Sequence, residues 1–313
     1  MNSEELSENI RKWSEELGFV AFGVVPYRLM TREIDRFENY LSLGYQAGMK
    51  YLEQNRNIRR DPSLLLPGLK SILCFLAPYR HGISPAQGMP SVASYALGLD
   101  YHPVIKGKLR KILSKIGEIY PDAKGRVFTD SAPVLEREWA AGAGLGFIGR
   151  NNFLISREHG LHTLIGVILL DIPIPYTKMT VKSGCGSCHR CIDACPTGAL
   201  KGKGLLDSTR CISYQTIESK KDHLSEETRI DRKGWIFGCD ICMQACPWTK
   251  TGERHCWDEF LPLKHPLLPE GVNSLSSVEW KSMGKDKFNE IFKESPLKRA
   301  GYEKIMDNLD ANG

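Results

Sequence analysis

Two cysteine runs constrain this chain more than any other feature. The first is Cys185-Gly-Ser-Cys188-His-Arg-Cys191-Ile-Asp-Ala-Cys195-Pro196, and the second is Cys239-Asp-Ile-Cys242-Met-Gln-Ala-Cys246-Pro247. Two-residue gaps let successive thiolates of one tight loop reach successive corners of a 4Fe–4S cubane, while the cysteine before the proline serves the other cubane. That last cysteine is expected to start a following helix, where the missing proline N–H costs nothing. A zinc site also uses paired C-x2-C units, but it leaves the third cysteine of the first run and both Cys-Pro endings unexplained.

The two runs are one thiolate short of what two cubanes need. Cys211, in RCISYQTIE between them, is the best candidate for the eighth ligand, with Cys74 and Cys256 as competitors. Cross-ligation then assigns Cys185, Cys188, Cys191 and Cys246 to one cluster, and Cys195, Cys211, Cys239 and Cys242 to the other. Cys74 sits in an apolar stretch and reads as core. Cys256, beside Trp257, has no evident role.

Such a module is a wire for single electrons, so the 313-residue chain needs a second part for the electrons to reach. Hydrophobic content of 42% and a net charge of +5 suit an ordinary globular protein, and permit a polyanionic partner without demanding one. The N-terminus places Leu6, Ile10, Trp13 and Leu17 at helical spacing and lacks the basic and apolar regions of a signal peptide. No apolar run is long enough to span a bilayer, so no membrane partner is expected. A cytoplasmic location is expected, where ten cysteines serve as metal ligands rather than disulfides.

Patterning before the cysteines is mixed. AFGVVPY, KSILCFLAPY and RVFTD read as strands, and LHTLIGVILLDIPI as a buried central strand. TREIDRFENYLSLGYQAGMKYL and VIKGKLRKILSKIGEIY read as helices. SAPVLEREWAAGAG reads as a further helix, with Ser131 as N-cap and Pro133 in its first turn. This predicts an α+β or α/β layered domain over residues 1–178, a two-cluster module over 179–257 and an extension over 258–313 packing on the core.

Two local motifs bear on chemistry. Gly144-Leu-Gly146-Phe-Ile-Gly149 fits the dinucleotide fingerprint, but it follows a helix and runs into the extended RNNFLIS, so a glycine-rich turn against another ligand is the better reading. Asp130, in Phe128-Thr129-Asp130-Ser131-Ala132-Pro133, lies at a strand end before a helix. It either caps that helix or presents a carboxyl group at a sheet edge, where it could act as a general acid.

The order FTDSAPVLER, AGLGFIGRNN, CGSCHRCIDACPTGAL, RCISYQTIE and CDICMQACPW closely resembles the epoxyqueuosine reductases, as do IRRDPSLLLPG and SYALGLDYHPVIKGKLRKI. The resemblance covers residues 1–256. It implies a nitroreductase-related, reductive-dehalogenase-like cobalamin-binding domain joined to a bacterial ferredoxin-like domain with two 4Fe–4S clusters. It implies cobalamin, resting as cob(II)alamin, and reduction of the cyclopentane epoxide of epoxyqueuosine at the tRNA wobble position to queuosine. Removing that oxygen takes two electrons and two protons. Asp130, matching FxDSAPxLER, is implied as the acid, and a carboxyl group whose proton is held more tightly by burial suits that task.

The resemblance further implies cofactor contacts at Arg59, Tyr95, Tyr101, His102, Asp130, Arg150, Asn151, Asn152 and Ser213. The implied partners are tRNA carrying epoxyqueuosine and an external flavodoxin- or ferredoxin-type one-electron donor; a monomer is expected. Many members continue into HEAT-like repeats. This sequence stops at Gly313, with SPLKRAGYEK resembling the start of that extension, so a short form is expected. Arg190, Lys201, Lys203, Lys298, Arg299 and Lys304 could track phosphates, although each by itself reads as a solvated cation. The alternatives are another corrinoid-dependent reductase and a plain ferredoxin-type carrier.

Overall fold

The computed structural model describes all residues except 1, 84–87, 177–180, 203, 221–230, 253, 269–270 and 313. The expected boundary at 178/179 and Lys203 therefore lie outside the described residues. Four strands, Ala21–Pro26, Ser71–Pro78, Thr163–Leu170 and Gly125–Phe128, form one antiparallel sheet in that spatial order. SILCFLAP is buried at every position, because this central strand is covered on both faces.

Alternation sorts its side chains. Leu73 and Phe75 join Ile168 and Leu170 against Leu6 and Ile10 of the helix Ser3–Glu16 and Ile105, Leu109, Ile112 and Ile116 of the helix Tyr101–Ile119. Ile72, Cys74 and Leu76 face the other way, with Val167 and Leu169, against Trp139 and Ala140 of the helix Glu136–Gly142. Burying each such side chain stabilises the fold by about 1.5–3 kcal/mol.

A second core lies at the other end of the chain. The helices Ser277–Ser282, Lys285–Ile291 and Leu297–Asp310 bring Trp280, Phe288, Phe292, Ile305 and Leu309 onto Val92, Ile236 and Phe237. Val92 and Phe237 come from a short parallel pairing of Ser91–Val92 with Trp235–Phe237. This pairing ties the sheet domain, the cysteine segment and the C-terminal helices together. Asn308 is fully buried there. Its amide donates to Thr216 O at 2.8 Å and Ile236 O at 2.7 Å, while its oxygen accepts from Arg232 at 2.7 Å. Asn308→Ala orphans those groups and is expected to cost about 2–4 kcal/mol in denaturant unfolding. No change in the unfolding midpoint would refute this role.

Several local expectations are corrected. The helix starting at Thr31 ends at Ser42, because Gly44 and Ala47 turn left-handed and only a 3-10 turn, Lys50–Leu52, follows. The helix expected from Ser131 starts at Glu136, since residues 131–135 are used to wrap around Asp130. Asp130 caps no helix. Cys195 does not open a helix; it follows the short helix Arg190–Asp193 and leads into a turn. Gly146 lies just before a hairpin pairing Phe147–Ile148 with Leu154–Ile155, and a Cβ there would sit 2.4 Å from Ile155 O. The glycine pattern thus serves a close backbone approach within the hairpin. No helix among the described residues is long and apolar enough to cross a membrane.

Candidate active site

An open cleft lies where the sheet domain, the cysteine segment and the C-terminal helices meet. It is lined by Tyr95, Asp100, Tyr101, His102 and Asp130 from the first, by Ser208, Cys211, Ser213 and Glu218 from the second, and by Pro296 and Arg299 from the third. Asp100 caps the long helix by accepting from His102 N at 3.0 Å, which sets Tyr101 and His102 at the cleft edge. The same carboxylate meets His102 Nδ1 at 2.7 Å. Burial works against the Asp100 charge, yet the two bonds from His102 outweigh it and hold its pKa below the ordinary value.

Asp130 follows the strand Gly125–Phe128, and the fold holds it from three sides. Thr129 Oγ1 donates to Ile165 O at 2.8 Å, anchoring the preceding residue to the sheet. The Asp130 backbone is left-handed, with φ of 47°, a conformation that costs a non-glycine residue about 1 kcal/mol. Its N–H donates to both carboxyl oxygens of Glu136, at 2.8 and 3.0 Å. Its side chain accepts from Tyr101 Oη at 2.6 Å. Burial and the neighbouring Asp130 charge both raise the Tyr101 pKa, so this phenol stays a donor. Burial, with Asp130 adding to it, pushes Glu136 up to about 8.

The thiols gather into two sets. Cys191 has Cys246 and Cys185 as its electrostatic neighbours, and Cys246 has Cys185 and Cys188. Cys242 has Cys239, Cys211 and Cys195. Desolvation raises most of these thiols, Cys239 to about 12. A bound cation would favour their ionised form. Among the described residues no three His, Cys, Asp or Glu side chains converge tightly enough for a single ion. Cys74 lies apart, fully buried in the central strand, and Cys256 bonds to Trp257 O. The second set reaches the cleft through Cys211. The first lies beside the exposed stretch Gly186–Ser187.

Other anticipated residues divide. Tyr95, Tyr101, His102, Asp130 and Ser213 share the cleft; Arg59, Arg150, Asn151 and Asn152 are not in its lining. Arg59 is 8% exposed, stands over Phe37 at 5.3 Å, and has a buried Nη1 without a hydrogen-bond partner. Desolvation lowers its pKa, a sign of a cation waiting for a polar group. Arg150 instead donates to Gly186 O at 2.9 Å beside the first thiol set. Asn151 is buried and its oxygen accepts from Phe153 N at 3.3 Å, with its amide nitrogen unpartnered; Asn152 adopts φ of 64°.

Sequence reasoning missed Glu136, Glu218 and Tyr51, and placed Arg299 on a general phosphate-tracking surface. Arg299 pairs with Glu218 at the cleft wall, and Tyr51, raised by burial to about 12, lies close to both. A Glu beside FTDSAP was visible in the sequence, but nothing in its spacing says that it turns back to residue 130.

Residues 184–249 match the family model described as 4Fe-4S double cluster binding domain. Residues 59–131 match that described as Epoxyqueuosine reductase QueG, DUF1730. The chain is 36% identical to an epoxyqueuosine reductase of Cyclobacterium marinum, over 98% of this chain and 96% of that protein. A solved structure of an epoxyqueuosine reductase with a tRNA-Tyr epoxyqueuosine-modified stem loop superposes with a TM-score of 0.86. It is 26% identical, over 99% of this chain and 81% of that one. A catabolic reductive dehalogenase shares the fold at a TM-score of 0.50 and 14% identity, over 83% of this chain and 33% of that one.

Proposed function

Since the chain belongs to the epoxyqueuosine reductase family, we propose that its cleft is where the epoxide is opened, with Asp130 supplying the proton that the departing oxygen needs. The enzyme is an oxidoreductase that reduces epoxyqueuosine to queuosine in tRNA, and it carries two 4Fe–4S clusters. The observation that carries the reading is the shared cleft: Asp130 and Cys211 line the same space. A proton source and the edge of an electron-carrying cluster thereby meet where a substrate can enter.

The residues divide the work. Cys185, Cys188, Cys191 and Cys246 hold the cluster nearer the surface, and Cys195, Cys211, Cys239 and Cys242 hold the one nearer the cleft. Tyr101 orients the Asp130 carboxyl group by the 2.6 Å bond. Removing the epoxide oxygen as water takes two electrons and two protons, and Asp130 delivers a proton to that oxygen as its bond to carbon breaks. The wobble base must leave the anticodon stack to reach this depth.

Cobalamin fits the residues present. The cleft has an aromatic and apolar wall of Tyr95, Tyr101, Ile217 and Phe237 for a flat ring, and nearby Arg59 offers an unpartnered buried N–H for a polar side arm. Tyr95, Tyr101, His102 and Ser213 would line its site, while Arg150 stands beside the first thiol set. When bound, cobalamin supplies a low-valent cobalt nucleophile that neither clusters nor side chains offer.

The test is anaerobic turnover. The chain with reconstituted clusters, cobalamin and a strong reductant is given epoxyqueuosine-containing tRNA, and the nucleosides are analysed by mass spectrometry. Loss of one oxygen mass, dependent on cobalamin, is the expected outcome. No conversion with both clusters and corrin bound would overturn the substrate assignment.

Electrons enter at the outer cluster from an acidic one-electron carrier. Supporting this, exposed Arg157, Lys182 and Arg190 surround the Cys185–Cys188 loop, with Arg157 donating to Lys182 O at 2.8 Å. Asp193 and Glu158 are the acidic groups in this region, and Asp193 is paired with His189. Charge reversal at Arg157 and Lys182 is expected to raise KM for a flavodoxin about tenfold, with chemical reductants unaffected. An unchanged KM would move the docking site elsewhere.

A further inference from the structure

Asp130 is held in an unfavourable backbone conformation, and the group holding it is a second carboxyl group. Left-handed residues other than glycine persist where their surroundings over-determine them. Here Thr129 is pinned to Ile165 O, the Asp130 carboxyl group is pinned by Tyr101, and the N–H between them meets the Glu136 carboxyl group. Residues 131–135 form no regular element that could fix the turn by itself. Glu136 is the first residue of the helix Glu136–Gly142, which packs on the central sheet through Trp139 and Ala140. Its carboxyl group is thus carried by the sheet's own packing.

We propose that Glu136 is a positioning residue for the proton transfer, latching the 130–135 loop through the Asp130 N–H so that the Asp130 carboxyl group stays on Tyr101 and in the cleft. The inference rests on the reading of Asp130 as the acid. It also explains why a carboxyl group is tolerated beside another. Glu136 faces Asp130, with the cations of Arg137 and Lys106 and the buried Cys74 as its other titratable neighbours; Asp130 in turn faces Tyr101, Tyr95, Tyr51 and Arg299. Burial and the Asp130 charge push Glu136 up to about 8, so near neutral pH it is a neutral acceptor that adds no repulsion.

The sign for stability follows. A carboxyl group with a folded pKa above its unfolded one favours the folded state when protonated. This contribution is present in full below the unfolded value and is lost as pH rises toward about 8.

Two readouts test the latch. Hydrogen exchange of the 129–135 segment, measured on the cluster-loaded enzyme without substrate, does not depend on the assigned reaction. Glu136→Ala is expected to speed that exchange, to lower kcat about tenfold and to leave KM nearly unchanged. Glu136→Gln keeps the acceptor and is expected to retain slow exchange and kcat within about threefold, while abolishing the loss of stability that the wild type shows as pH rises toward about 8. Unchanged exchange in Glu136→Ala overturns the latch. So does a Gln variant as impaired as the Ala variant, because an acceptor restored at the Asp130 N–H would then rescue nothing. If Glu136→Ala does not fold, the Gln variant decides: slow exchange with kcat within about threefold supports the latch, and fast exchange or a tenfold loss of kcat overturns it.

Discussion

Asp130→Asn is expected to lower kcat for epoxyqueuosine-tRNA by about a hundred- to ten-thousandfold, the usual range for losing a positioned general acid. The amide matches the carboxyl group in shape and still accepts from Tyr101, so the 2.6 Å contact and the turn at φ 47° are preserved. It has no carboxyl proton to give. Substrate binding, both clusters and thermal stability should therefore survive while turnover does not. Single-turnover mass spectrometry beside an iron assay separates these quantities. A variant that keeps more than about a tenth of wild-type kcat would show that the departing oxygen takes its proton elsewhere. Tyr101→Phe should give a smaller loss, because it frees the carboxyl group to leave its pose without removing the proton.

Cys211→Ala should remove the inner cluster. Its thiol lies among Cys195, Cys239 and Cys242 and lines the cleft. A cubane with three thiolates in a partly open site is labile, so bound iron should fall to about half and turnover by at least about a hundredfold. The electron path would be cut at its last station before the cleft. Cys74→Ala, within the central strand and away from both sets, should keep full iron and lose only packing. Iron and sulfide analysis with low-temperature paramagnetic resonance distinguishes the two. Full iron in Cys211→Ala, with loss in Cys256→Ala instead, would reassign the ligand.

Much of the site was legible because ligand spacing in a tight loop is local information. The runs from Cys185 to Cys195 and from Cys239 to Cys246 need nothing distant to be read as cubane ligands. The strands were equally plain: SILCFLAP and TLIGVILL are so apolar that only a covered sheet position suits them. Helix limits were less so. SAPVLEREW has a serine, a proline and a glutamate at good capping positions, yet the helix waits until Glu136. There the tertiary requirement to turn the chain around Asp130 outweighs local propensity, which is worth only a few tenths of a kcal/mol per residue.

Convergence was what no local pattern could supply. Glu218 and Arg299 are far apart in sequence and form an ion pair at the cleft wall because the C-terminal helices close a second core over Phe237. Arg150, expected beside the cofactor, braces the Cys185–Cys188 loop through Gly186 O, a contact that no local pattern announced. The sequence by itself determined the chemistry available: eight clustered thiols, an acid after a strand, and a layered domain with room for a cofactor. Only the tertiary structure decided which groups face one another, including Glu136 against the Asp130 N–H. Residue type and spacing specify what a side chain can do. Whether it does so depends on burial and on partners brought from elsewhere in the chain, and these arise only when the separate cores pack.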